Sequence, residues 1–324
     1  MFWPSLAFGL IVVSFFLFSV LDGFDLGIGM IVVFLRDRNE AGKLLDKIAP
    51  FWDGNELWLI IGVGLVFAFF PSAFAVLFST LYLPIMAIIV AFILRAVAIE
   101  FSYHNQDQAK KWSGLLSAGS FFATFIGLYA IGMIVSGLPL DRQGIASARF
   151  FDYLSWFPFI LGCAGTLAVV WHGLTFALLK ERSQPLEKIA RRLWIPAAIL
   201  SIIAIAFWST STSISSPLPV MMGGLIYCMG LVIGRVLLNK GTWAFRASCL
   251  SIVGAWVSIC STLFPAIIPV KNHPEWNLLL PKTAAPLSSL RPLVIVAILM
   301  IPVILIYSRI IYRIFQNPPR EKRF

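Results

Sequence analysis

The chain has 324 residues, 59% of them hydrophobic and 12% charged, with a mean hydropathy of +0.89. That composition excludes a soluble globular domain and predicts an all-α polytopic membrane protein. The formal net charge of +10 raises the question of nucleic acid, but no zinc spacing, P-loop or dinucleotide glycine pattern accompanies it.

Apolar runs of about 20 residues predict nine helices, near 5–35, 54–71, 74–101, 113–136, 153–179, 193–210, 218–238, 244–268 and 291–314, in one integral membrane domain over 1–324. The first opens on "MFWPSLAFGL", which lacks a basic n-region and a small-residue cleavage site, so it reads as a retained helix. Further along it carries "LDGFDLGIGM", with Asp22 and Asp25 three apart on one helical face. If Arg36 marks the interface, Asp25 lies roughly 16 Å inside it at 1.5 Å per residue. A lipid-facing acid there costs about 2.5–3.5 kcal/mol, so both acids should face protein or water. Two readings stay open: a hydrogen-bond network that fixes packing, and a proton or ion path. Gly23, Gly27 and Gly29 offer an adjacent small surface for close approach of another helix.

The second helix begins in "PFWDGNELWLI". Asp53 and Glu56 fit a capping box at a helix start. Yet with Asn55, Trp52 and Trp58 they form a polar and aromatic cluster dense for a simple cap. Pro71 and Ser72 read as the turn into the third helix, whose "ILRAVAIEF" places Arg95 five residues before Glu100. An intramembrane Arg needs a carboxylate. Asp53, Glu56 and the Asp22/Asp25 pair are candidates, and snorkelling to the interface is the alternative.

The fifth helix holds His172, the one histidine inside a span; it reads as a hydrogen-bonded packing residue or, alternatively, a haem ligand. Its "VWHGLTFALLK" faintly echoes the first helix, which suggests two four-helix bundles plus one peripheral helix. "STSTSISSPLP" separates the sixth and seventh helices, and the loop near 270–291 is the only one long enough to carry its own structure. Cys163, Cys228, Cys249 and Cys260 lie in apolar segments without C-x-x-C and read as small hydrophobes.

Basic residues alternate from loop to loop. One side holds 19: Arg36, Arg38, Lys43 and Lys47; Lys110 and Lys111; Lys180, Arg182, Lys188, Arg191 and Arg192; Arg235, Lys240 and Arg246; Arg309, Arg313, Arg320, Lys322 and Arg323. The other holds 5: Arg142, Arg149, Lys271, Lys282 and Arg291. The positive-inside rule then places the N-terminus outside and the C-terminus in the cytoplasm. Trp3 and Trp156 outside, with Trp112, Trp194 and Trp243 inside, form the expected aromatic belt. The charge is therefore topology, and no nucleic-acid partner is expected.

"DGFDLGIG", then "WDGNELWL", then an Arg and an acid in the third helix together resemble subunit II of cytochrome bd-type quinol oxidases. The nine-helix layout agrees along the whole chain, while the motifs concentrate in its first hundred residues. The resemblance implies a complex of the bacterial inner membrane that oxidises quinol and reduces oxygen to water, taking its protons from the cytoplasm. It implies haem b and haem d in a haem-bearing partner, subunit I, and no haem ligand in this chain. By motif position, Asp53 maps to a hydrophilic proton path, Trp58 to an oxygen route, and Asp22, Asp25 and Arg95 to support of the haem sites. Glu56 stands where many members have Gln, either as an added proton carrier or as a stronger cap. Small accessory membrane subunits and membrane lipid are further partners left open. An ion-coupled secondary transporter is the rival reading, since intramembrane acids and a weak repeat also fit it. A purely structural assembly subunit is a third.

Overall fold

The structure, a computed structural model, describes residues 1–35, 38–104, 109–145, 154–180, 182–211 and 217–316. Of the basic residues counted above, Arg36, Arg149, Arg320, Lys322 and Arg323 lie outside the described residues, as do 212–216 of the serine-rich separator.

Nine helices among the described residues are long and apolar enough to cross a membrane. They are α1 (Phe2–Ile31, prolonged by a 3-10 turn Val32–Phe34), α3 (Trp52–Phe69), α5 (Tyr82–His104), α6 (Ala109–Ser136), α7 (Trp156–Lys180), α8 (Gln184–Ser211), α9 (Pro217–Val236), α10 (Gly241–Leu263) and α12 (Leu287–Gln316). Three shorter helices complete the set: α2 (Arg38–Ile48), α4 (Pro71–Thr80) and α11 (Leu280–Thr283). One end of the bundle carries the N-terminus and the connection between α10 and α12. The other, the basic face, carries α2 and the connections that follow α7 and α9.

Four boundaries differ from the hydropathy reading, each for a physical reason. The run at 74–101 is two helices. Pro71 does not merely turn the chain; it opens α4 at a first-turn position, where its missing N–H costs nothing. At ten residues α4 is too short to cross, and the span proper is α5. α8 starts at Gln184 instead of 193, because Glu187, Lys188, Arg191 and Arg192 are good helix formers that a hydropathy window discards. α10 stops at Leu263 instead of 268. Phe264 is extended before Pro265, a position where the α conformation is disfavoured. The residues beyond it form strand β1 (Ala266–Ile268), which pairs antiparallel with β2 (Leu278–Leu279). Finally, 38–48 is helical instead of a bare connection. Ala41, Leu44, Leu45 and Ile48 recur at helical spacing and are buried, so α2 lies with its apolar side on the bundle. The 270–291 loop is thus not alone in carrying structure.

At the centre, α1 crosses α7. A Cβ built on Gly27 would lie 2.8 Å from the Cα of Gly173, and one on Gly173 would lie 2.7 Å from the Cα of Gly27. The glycines at the predicted close approach therefore let two backbones touch, as small residues do between membrane helices. Ser117 on α6 then donates to the carbonyl of Gly29 at 2.7 Å, fixing a third helix against the same stretch of α1. α5 packs on α6, α3 on α1, and α12 lies against α1 and α3. The helices carrying the acids and Arg95 are thereby brought round one segment of α1.

Gly27→Leu or Gly173→Leu should cut the amount of assembled protein recovered from membranes several-fold, since neither backbone can move away and overpacking costs about 1–3 kcal/mol or more. Gly54→Ala, with open space around its Cα, should leave recovery unchanged. Equal recovery of all three would show the crossing to be pliable.

Candidate functional site

The site is built on one turn of α1. Asp22 and Asp25 lie three residues apart there, and both side chains are fully buried. α5 sends Arg95, also fully buried, across to Asp22. Its Nη2 donates to Oδ1 at 2.5 Å and its Nη1 to Oδ2 at 3.0 Å, a bidentate pair. Arg95 Nη1 also donates to Glu56 Oε2 on α3 at 3.3 Å. The Glu56 side chain is 20% exposed, so it joins the enclosed pair to the surface. The guanidinium lies 5.9 Å from the ring centre of Trp52 and 5.7 Å from that of Phe92, aromatic neighbours that stabilise a cation while excluding water.

A second branch leaves Asp25. Asn55 Nδ2 on α3 donates to Asp25 Oδ2 at 2.7 Å. Tyr312 on α12 donates its hydroxyl proton to Asn55 Oδ1 at 2.9 Å. Its ring stacks on Phe51, with 4.0 Å between centroids and 3° between planes. With Tyr312 donating to its oxygen, the Asn55 amide must offer its nitrogen to Asp25. Asp25 Oδ1, Arg95 Nε and Trp58 Nε1 are buried without a hydrogen-bond partner among the described residues.

The structure therefore brings Asp22, Asp25, Asn55, Glu56 and Arg95 together and settles the partner of Arg95. It is Asp22 first and Glu56 second, and the enclosed guanidinium does not snorkel. The capping box does not form. α3 starts at Trp52, its N-cap is Phe51 and no side chain caps it, so Asp53 stands two positions too far inside. Asp53 is exposed, accepts from the backbone N–H of Gly54 at 2.7 Å, and stands apart from the buried cluster. Glu100 is exposed, about 140° round α5 from Arg95 by helical geometry. Trp58 is fully enclosed.

His172 is not free to hold an iron. Its Nε2 lies 2.9 Å from the carbonyl oxygen of Val20 and its Nδ1 lies 2.8 Å from Ser248 Oγ, so both ring nitrogens have partners. Phe24 and Phe245 pack against the ring. The four cysteines are free and half-buried.

Tyr312 and Phe51 are the members that sequence reasoning missed. Tyr312 sits between Arg309 and Arg313, so it looks like an interfacial anchor, and nothing local points it at Asn55. Phe51 precedes a motif in which the charged residues draw attention.

The model of the cytochrome bd terminal oxidase subunit II family matches residues 3–315. The chain is 28% identical to the cytochrome bd ubiquinol oxidase subunit 2 of Bacillus subtilis, over 95% of each chain. It is 24% identical to the cytochrome bd-I ubiquinol oxidase subunit 2 of Escherichia coli, over 90% of this chain and 88% of that one. In fold it resembles the bd oxidase of Geobacillus thermodenitrificans, with a TM-score of 0.81 and 15% identity over 97% of this chain and 99% of that one.

Arg95→Leu strands the fully buried Asp22 and should lower stability by about 3–5 kcal/mol, while Asp22→Leu combined with Arg95→Leu should recover much of that loss. Thermal unfolding in detergent, followed by tryptophan fluorescence, compares the two. A double variant no more stable than Arg95→Leu alone would mean that the pair is not the main partnership.

Proposed function

The chain belongs to the cytochrome bd terminal oxidase subunit II family, and from that premise we propose that its buried charge network carries protons toward the reaction of the complex. The chain serves as subunit II of a quinol:oxygen oxidoreductase of the bacterial inner membrane, which oxidises quinol and reduces oxygen to water. Family membership removes the ground for the ion-coupled transporter reading. Haem b and haem d, assigned to the partner subunit I, supply electron transfer and the oxygen chemistry when bound. Small accessory membrane subunits and lipid complete the proposed partners.

One observation carries the proton reading: Glu56 is partly exposed and touches the fully buried Arg95–Asp22 pair. One guanidinium faces three carboxyls, so charge neutrality leaves two carboxyls for protons. Asp53 stands one helical turn before Glu56 at the basic face, where it receives protons and passes them inward. Glu56 holds the proton next to Arg95, while Asp22 stays paired and keeps Arg95 in place. Asp25, held by Asn55, is the inner acid. Asp22, Asp25, Asn55 and Arg95 together form the firm wall that supports the haem sites of the partner, to which Glu100 adds a charge on the exposed side of α5. Oxygen is small and apolar and needs no open channel. Trp58, fully enclosed on α3, walls its passage.

The proton role and a merely structural one separate cleanly. Asp53→Asn keeps shape and removes the titrating group. Oxygen uptake per haem should fall several-fold in Asp53→Asn and further in the Asp53→Asn, Glu56→Gln double variant, with haem spectra retained. Asp53→Glu should keep more activity than Asp53→Asn. Wild-type turnover in the double variant would withdraw the path from this subunit.

The orientation proposed is N-terminus outside and C-terminus in the cytoplasm, supported by the 19-to-5 division of basic residues. A reporter active only in the periplasm should stay silent when fused after Phe324; a strong signal there reverses the layout.

A further inference from the structure

The basic face is unevenly charged. Around the basic-face ends of α8, α9 and α10 stand Lys188, Arg191, Arg192, Arg235, Lys240 and Arg246, with Glu187 on α8 and Glu40 of α2, which accepts from the Ser183 hydroxyl just before α8, as acids beside them. Topology alone does not ask for this density, since the connection between α5 and α6 carries only Lys110 and Lys111. Lys188 and Arg192 are four apart on α8 and Arg191 is three from Lys188, so these cations repel one another along one exposed helical face. An anion relieves that repulsion.

The corner is also built to a shape. Arg191 Nη2 donates to Asn239 Oδ1 at 2.9 Å, tying the first turns of α8 to the turn between α9 and α10. About one turn further along α8, Trp194 Nε1 donates to the carbonyl of Leu231 on α9 at 2.9 Å and closes the same seam. Lys188, Arg191 and Arg192 line, with Gln184 and Glu187, a shallow open concavity of about 470 Å³ on α8 itself, where Glu187 pairs with Arg191 at 3.9 Å and leaves Lys188 and Arg192 in excess. Arg246 lies 5.0 Å from the ring centre of Trp243, an exposed indole suited to headgroup level. Past the concavity α8 and α9 present exposed apolar side chains, Ile195, Ile199, Met229 and Val232 among them.

We propose that this seam binds an anionic phospholipid, its phosphate in the concavity against Lys188, Arg191 and Arg192 and its acyl chains along α8 and α9. Clusters of basic residues at the cytoplasmic ends of membrane helices attract such headgroups, and cations next to exposed apolar side chains match a lipid better than a protein surface. The position also fits. α8 packs on α7 and α9, and α9 on α10, whereas the Glu56 opening belongs to α3 and α5. The seam is therefore independent of the proton path.

The test uses the assembled two-subunit oxidase, delipidated in detergent and titrated with phosphatidylglycerol or phosphatidylcholine under native mass spectrometry. The wild type should hold phosphatidylglycerol at least about ten-fold more tightly than phosphatidylcholine. Lys188→Gln, Arg191→Gln and Arg192→Gln together should abolish that preference, with haem content unchanged. Lys110→Gln with Lys111→Gln, on the same face, should keep it. If the triple variant fails to assemble, Arg192→Gln alone should reduce the preference about three-fold. Millimolar inorganic phosphate should not compete, because it brings no acyl chains. Equal loss in both sets of variants, no preference in the wild type, or displacement by inorganic phosphate would each overturn the proposal.

Discussion

The structure depends on one fully enclosed ion pair, Arg95 with Asp22. A cation and a carboxylate this deep are tolerable only when each satisfies the other, and the bidentate geometry does so for two of the three guanidinium nitrogens. The pair joins α5 to α1, and since α5 packs on α6 while α1 packs on α3 and α7, its position constrains most of the bundle. Helix association in lipid gains little from hydrophobic burial, so close packing and polar contacts must hold helices together. Here the Gly27–Gly173 crossing provides close approach and the ion pair provides the polar contact. Both act on one stretch of α1.

The two branches from that stretch differ in kind. The Arg95 branch is ionic and reaches the surface through Glu56. The Asp25 branch is an oriented chain of neutral donors, Tyr312 to Asn55 to Asp25, closed on the outside by the Phe51–Tyr312 stack. α12, which lies outermost against α1 and α3, therefore contributes a residue to the interior.

How much was legible in the sequence follows from what hydropathy and spacing can measure. The nine spans were legible because an apolar run of that length has few other uses. The buried acids and Arg95 were legible because a charge in such a run demands a reason. Boundaries failed where chemistry and polarity diverge: at the charged but helical start of α8, at Pro71, and at Phe264 before Pro265. The capping box failed by two residues, because the pattern of acids is the same whether the helix starts at Trp52 or two positions later. Tyr312 was not legible, since its role exists only when α12 lies against α3, a contact between residues 257 positions apart. α2 was legible in principle through Ala41, Leu44, Leu45 and Ile48, but a span search passes over an eleven-residue amphipathic helix.

Glu56 shows how a local rule and a global one can compete for the same side chain. As a free peptide, "FWDGNELW" would cap its own helix, a contact worth about 1 kcal/mol. In the folded chain Arg95 lies in the same neighbourhood, enclosed, with one carboxylate already bound. A charge-assisted hydrogen bond to that guanidinium is worth roughly 1.5–3 kcal/mol, more than the cap. Glu56 therefore turns inward, the helix start is left without a side-chain cap, and Asp53 is left to the surface. A Gln at the same position could still bond Arg95 through its oxygen, but it would bring no exchangeable charge. What Glu56 adds is an acid at a point where the enclosed pair touches the outside.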